Sequence, residues 1–248
     1  MSEEIMEKLY SCRICQNTCL EGMVCCRFPE PLIGNWKASF VIVGINPGPS
    51  SGDFKDSNQY IAYYSNPKKC GLKSQEGWQR GYLEAYRRLV NPELSNDEAI
   101  DHFNSHAAIL NIIKCSTVDA SKLRGQRYES AKTNCIGYLE KQLELISPKI
   151  ILTHGKKPCI EILDMLKSKS KYVEVQSSTN INILAEKIKD SYSMDRILPT
   201  IKYITAKDRE GREVLFLFNK HLSRWGPAQK SLKQDLEEKQ RRVKVALH

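Results

Sequence analysis

Residues 39–49, Ser-Phe-Val-Ile-Val-Gly-Ile-Asn-Pro-Gly-Pro, constrain this chain more than any other stretch. Phe40 to Val43 form a short apolar run rich in β-branched residues, and Gly44 and Pro47 stop it abruptly. A strand buried on both faces reads this way, and such strands belong to parallel sheets covered by helices on either side. Sheets of that kind bind ligands beyond the carboxyl ends of their strands. Asn46 falls at that end. Gly44 and Gly48 permit tight turns and the close approach of a ligand. Pro47 fixes its own φ and pushes Asn46 toward an extended backbone. Taken alone, the segment is also readable as a plain strand-to-loop turn in which Asn46 bonds its own backbone.

A chain of 248 residues, 41% hydrophobic and 27% charged, has the composition of a soluble globular protein and the length for one α/β domain. The expected unit is 1–248, with a Cys-rich arm over 1–35 and a closing helix over 228–248. No segment approaches the roughly 20 apolar residues of a membrane span. The acidic start, Met1-Ser2-Glu3-Glu4, lacks a signal-peptide core, so the cytoplasm is the expected compartment. The net charge of +9 permits nucleic acid as a partner without establishing it. Nine cysteines are many for a reducing compartment, where disulfides are rare, and they point to a metal or cluster site. Cys12-Arg-Ile-Cys15 is a CxxC that brings two thiolates to one metal centre. No second CxxC follows, so the remaining ligands must come from far along the chain.

Hydrophobic patterning predicts further buried strands at 107–113, 149–153 and 214–218, and helices at 78–90, 96–103, 130–146, 158–166 and 229–245. Tyr82, Leu83, Tyr86 and Leu89 share one helical face and read as core. Residues 50–77 read as a long polar loop carrying Tyr60, Tyr63 and Tyr64. In 167–212 the pattern is weaker, with a helix at 183–188 and a strand at 200–205. Strand-then-helix units repeated four times imply an α/β fold, a three-layer α/β/α sandwich with a central, mainly parallel four-stranded sheet. Asn46, Asn111, His154 and His221 all fall at C-terminal strand ends, which converge on one rim. Asn111 interrupts an apolar strand and needs partners, either neighbouring backbone or a bound ligand. His154 reads as a core-edge histidine.

These residues resemble the uracil-DNA glycosylase superfamily. Gly44-Ile45-Asn46-Pro47-Gly48 is similar to the first motif of the mismatch-specific branch, which has Asn where the commonest uracil glycosylases have Asp. The stretch Ala108-Ile109-Leu110-Asn111-Ile112-Ile113-Lys114-Cys115 resembles the second strand of the iron–sulfur branch (family 4). Residues 135–142 and 146–151 resemble that branch's next helix and strand. His221-Leu222-Ser223 is similar to the closing His-Pro-Ser motif, with Leu222 in place of the usual Pro. Residues 50–77 and 167–212 do not match.

The resemblance implies a [4Fe-4S] cluster on Cys12, Cys15, Cys115 and Cys135, with zinc as the alternative and Cys19, Cys25 and Cys26 as rival ligands. It implies a monomeric repair enzyme acting on DNA that contains uracil or a damaged base, flipped into a pocket. Asn46 would position the attacking water, and His221 would bond the developing oxyanion. Asn111 would read the base edge, and Tyr63 or Tyr64 would stack on it. Gly44, Ile45, Pro47 and Gly48 would line the pocket. Lys122, Arg124 and Arg127 would meet phosphates, and Arg224 and Trp225 would contact or wedge into the duplex. The alternative is a non-catalytic iron–sulfur nucleic-acid-binding protein of the same fold.

Overall fold

A computed structural model describes residues 2–14, 29–45, 54–74, 77–115, 124–168, 171–177, 180–190, 203–219 and 230–248. The elements in chain order are α1 (Ser2–Tyr10), β1 (Ile33–Gly34), β2 (Phe40–Gly44), α2 (Ser57–Tyr64), α3 (Pro67–Cys70), α4 (Gly77–Val90), α5 (Asn96–His106) and β3 (Ala107–Asn111). There follow α6 (Gln126–Ile146), β4 (Ile150–His154), α7 (Lys156–Ser168), β5 (Tyr172–Ser177), α8 (Ile181–Asp190), β6 (Ile204–Asp208), β7 (Glu213–Asn219) and α9 (Lys230–Leu247).

The sheet has seven strands in the order β1-β3-β2-β4-β7-β6-β5. The four expected strands are its centre, β3-β2-β4-β7, and all their pairings are parallel. The expectation of four strands falls short by three. β1 pairs antiparallel on one edge, and β6 and β5 extend the other edge antiparallel. β3 and β4 flank β2 on opposite sides, so the chain reverses its direction of travel across the sheet at β2. That reversal is a topological switch point, where crevices form beyond the strand ends.

Strand parity sorts the core into two layers. Phe40, Ile42, Ala107, Ile109, Ile150, Leu152, Leu215 and Leu217 pack with α4, α5 and α9. Val41, Val43, Ala108, Leu110, Ile151, Phe216 and Phe218 pack with residues of α1, α2, α6, α7 and α8. Every one of these strand residues is buried, which explains why the strands read as continuous apolar runs.

Residues 54–74 hold two short helices where a loop was expected. Asp56 caps α2 by accepting from the Gln59 N–H, and Asn66 caps α3 by accepting from the Lys68 N–H, with Pro67 at the first helical position. The Asn104 amide clasps the following segment, accepting from the Leu72 N–H at 2.8 Å and donating to the Leu72 carbonyl at 2.9 Å. Ser95 and Glu98 form a full capping box at the start of α5. Among the described residues, no helix is long and apolar enough to cross a membrane.

Candidate active site

At the switch point Gly44 faces Asn111 across the β2–β3 ladder. The pairing continues beyond the strands. The Ile112 N–H donates to the Gly44 carbonyl at 3.0 Å, and the Ile113 N–H donates to the Ile45 carbonyl at 2.8 Å. Parity turns positions 44, 111 and 154 toward the layer that contains α4. The missing side chain at Gly44 creates space that its neighbours use. A β-carbon there would stand 2.6 Å from Asn111 Oδ1 and 3.0 Å from the Tyr82 hydroxyl. The Tyr82 ring, from α4, meets the His154 ring edge-on, with centroids 4.9 Å apart. Gly44, Tyr82, Asn111 and His154 therefore form one cluster at the C-terminal rim.

Asn111 is 3% exposed, and its Oδ1 accepts no hydrogen bond among the described residues. Leaving a buried carbonyl oxygen unpaired costs about 1–3 kcal/mol. An acceptor held at that cost, beside a glycine that clears space for it, suits a ligand that brings its own N–H. An amide both donates and accepts, so it can read the edge of a planar heterocycle. Burial holds the Tyr82 phenol above its ordinary range, with the Glu30 carboxylate adding to the effect, so the hydroxyl stays protonated.

The other expected residues are distributed as follows. Ile45 is half-buried and packs on the layer opposite α4. Tyr63 and Tyr64 belong to that same opposite layer, in an aromatic cluster with Phe54 and Tyr60, so they are not brought beside Asn111. Tyr64 is buried there, and its carbonyl accepts from the Trp36 indole N–H. Asn46, Pro47, Gly48, Lys122, His221, Arg224 and Trp225 lie outside the described residues. Arg124 is exposed just before α6, and Arg127 lies in its first turn. Arg124 acts electrostatically on Lys157, which lies in the first turn of α7 directly after β4. Lys157 also stands 3.8 Å over the Tyr128 ring. These cations and the two helix N-termini, with the Glu129 carboxylate also acting on Lys157, make a net basic shoulder beside the rim, suited to phosphate.

Cys12 is half-buried, and Cys115 and Cys135 are buried. Cys12 and Cys115 both act on the Tyr60 phenol, while Cys12 and Cys135 both act on Tyr138. Three segments distant in sequence thus bring thiols to one neighbourhood. Among the described residues no group of three or more His, Cys, Asp or Glu side chains could hold a metal ion, and Cys15 lies outside those residues. Thiolates from separate segments are in general the donor set that iron–sulfur clusters and zinc take. Cys70 and Cys159 differ. Each is buried in the core, and burial pushes the Cys70 thiol up to about 11.

Periodicity could not single out Tyr82 from its helix, because it marks a buried face and not what meets that face's end. Two further groups gave no sign of their burial in the sequence. Lys114, directly before Cys115, is fully buried, and its Nζ has no partner among the described residues. The Glu30 N–H donates to the Lys114 carbonyl at 2.8 Å, and Glu30 Oε1 is also unpartnered. Burial pushes the Lys114 ammonium down to about 7 and the Glu30 carboxyl up to about 7.

The family model of the uracil DNA glycosylase superfamily matches residues 31–202. No curated protein matches the chain. The matched span runs from β1 through α8 and contains the switch point with Gly44, Tyr82, Asn111 and His154. More than two thirds of the chain is covered, and the chain belongs to the uracil DNA glycosylase superfamily.

Proposed function

We propose that this protein is a monofunctional DNA glycosylase that hydrolyses the N-glycosidic bond of uracil, and of related damaged bases, in DNA. The observation that carries the proposal is the buried, unpartnered Asn111 Oδ1 set across from Gly44. Uracil presents a ring N–H between two carbonyls. An asparagine amide complements that edge, accepting from the N–H and donating to a carbonyl.

The base reaches such a rim only after leaving the stack. The basic shoulder of Arg124, Arg127 and Lys157, joined by Lys122, would hold the backbone while this happens. Arg224 and Trp225 would meet the duplex. Breaking the glycosidic bond places negative charge on the departing base. Asn111 would bond the base, and His221 would bond the developing oxyanion. Asn46 would position the water. An amide is no general base, so this step relies on orientation and electrostatics and runs slower than with a carboxylate. Cys12, Cys15, Cys115 and Cys135 would hold a [4Fe-4S] cluster, with zinc as the alternative, tying the N-terminal arm to the sheet.

The test is an excision assay on oligonucleotides carrying uracil opposite adenine, uracil opposite guanine, thymine opposite guanine, and single-stranded uracil. Abasic product from a uracil substrate, lost in Asn111→Ala, supports the reading. Salt-sensitive binding without abasic product in any context overturns it and assigns the chain to non-catalytic nucleic-acid binding.

A further inference from the structure

We infer that Lys239 is a positioning residue of the active site: from α9 it holds the end of β7 at the C-terminal rim, and so fixes where the chain leaves the sheet toward His221. The inference rests on the reading that His221 bonds the developing oxyanion. Lys239 is 2% exposed, and its Nζ donates to the Phe218 carbonyl at 3.2 Å. Neither the proposed reaction nor the match to the superfamily, which ends at residue 202, uses this side chain.

The placement follows from how β7 is flanked. The Leu215 N–H donates to the Lys149 carbonyl just before β4, and Thr153 Oγ1 donates to the Leu217 carbonyl. Odd-numbered residues of β7 therefore direct their backbone groups at β4, and even-numbered residues direct theirs at β6. β6 begins at Ile204, opposite Phe216. Phe218 lies two residues past that pair, beyond the ladder with β6, and a buried carbonyl left unpaired there would be costly. Lys239 supplies the donor. On the other side Asn219 is in register with His154. The end of β7 is thus held between β4 and α9, level with His154.

A lysine is not explained by packing at this position. Lys239, Val243, Ala246 and Leu247 have the i, i+4, i+7, i+8 spacing of a core-facing stripe, and the last three pack in the layer of α4. An apolar residue would fill such a position, and lysines are almost never fully buried without a partner. α9 is itself anchored, since Gln240 Nε2 donates to the Arg88 carbonyl of α4 and Lys149 Nζ donates to the Leu247 carbonyl at 3.0 Å. One helix therefore braces both β7 and α4, which carries Tyr82.

The test is single-turnover excision from uracil-containing oligonucleotides by the full chain, measured for wild type, Lys239→Met, His221→Ala and the double variant, with circular dichroism confirming the fold at the assay temperature. The rate of Lys239→Met at saturating enzyme is expected to fall by about 10- to 100-fold, the scale of a displacement approaching about 1 Å. The enzyme concentration at half-maximal rate is expected to stay unchanged. In the His221→Ala background the same substitution is expected to cost nothing further, because the displaced strand end acts only through the residue it delivers. Lys239→Gln, which keeps an N–H on a shorter side chain, carries the same cycle where Lys239→Met does not fold. An equal loss in both backgrounds overturns the inference and leaves Lys239 a purely structural residue. A wild-type rate in Lys239→Met beside a slow His221→Ala overturns the inference alone. Uracil left in place by the wild type in every context, or removed at the wild-type rate by His221→Ala, overturns the reading of His221 and this inference with it.

Discussion

Asn111 Oδ1 stands 2.6 Å from the point where a β-carbon on residue 44 would lie, so the amide occupies space that exists only because residue 44 is glycine. Nothing in the Gly44 backbone demands glycine, since its φ is not among the positive values. The requirement is steric, and it belongs to Asn111 and Tyr82.

Gly44→Ala should therefore separate activity from folding. The added methyl displaces the Asn111 amide, and a misplacement of about 1 Å costs roughly hundredfold in rate. Single-turnover excision of uracil should fall by about that factor, while the thermal midpoint moves little. A fall in stability that matches the loss of activity would count against the assignment.

Asn111→Leu should do the reverse of a usual core substitution. It removes a buried oxygen whose unpaired state costs about 1–3 kcal/mol and replaces the amide with an apolar group branched at the same carbon. Denaturant unfolding should show equal or greater stability, and excision should disappear. An equilibrium midpoint well below the wild type would mean that Oδ1 is paired in the free protein.

Tyr82→Phe tests the residue that helical periodicity assigned to the core. The ring stays against His154 and only the hydroxyl is lost. A hydroxyl that gives the bound base one neutral hydrogen bond contributes about 1 kcal/mol, so excision should slow several-fold. Because the phenol of Tyr82 is held above its ordinary range, the wild-type rate should show no step from this group up to about pH 10.

Alkaline pH should weaken the fold. Burial raises the phenol pKa of Tyr60, Tyr64 and Tyr86 above the ordinary value. The stability they contribute is fully present below about pH 10, where neither state ionises. Above it the unfolded chain releases these protons first, so stability falls as pH rises. Urea midpoints measured across that range should decline, and Tyr64→Phe should flatten the decline.

Asn104→Ala should cost about 2–3 kcal/mol, because it strands both the N–H and the carbonyl of Leu72. Hydrogen exchange should rise first in residues 65–74, the segment that Asn104 clasps.

The central strands were legible because each is a short, nearly continuous apolar run, as a strand buried on both faces requires. Asn111 stood out for the same reason, as a polar residue in an apolar run. The edges were not legible. β1 is two residues long and is defined by its partner, and the alternation of Tyr172–Ser177 is too weak to mark an edge strand. In 54–74 the abundance of polar residues hid two helices whose caps, Asp56 and Asn66, were the available signal. The buried state of Lys114 had no signal, because charge predicts exposure unless tertiary structure overrides it.

Strand parity has a consequence for how this molecule can change. Gly44, Asn111 and His154 share a layer because each ends its strand an even number of residues from Phe40, Ala107 and Ile150. Inserting or deleting one residue within any of those strands would turn its terminal group to the far side of the sheet. Lengthening the segments between elements leaves that indexing untouched. A lineage or an engineer could therefore rebuild the surroundings of the pocket freely, provided every strand keeps its count.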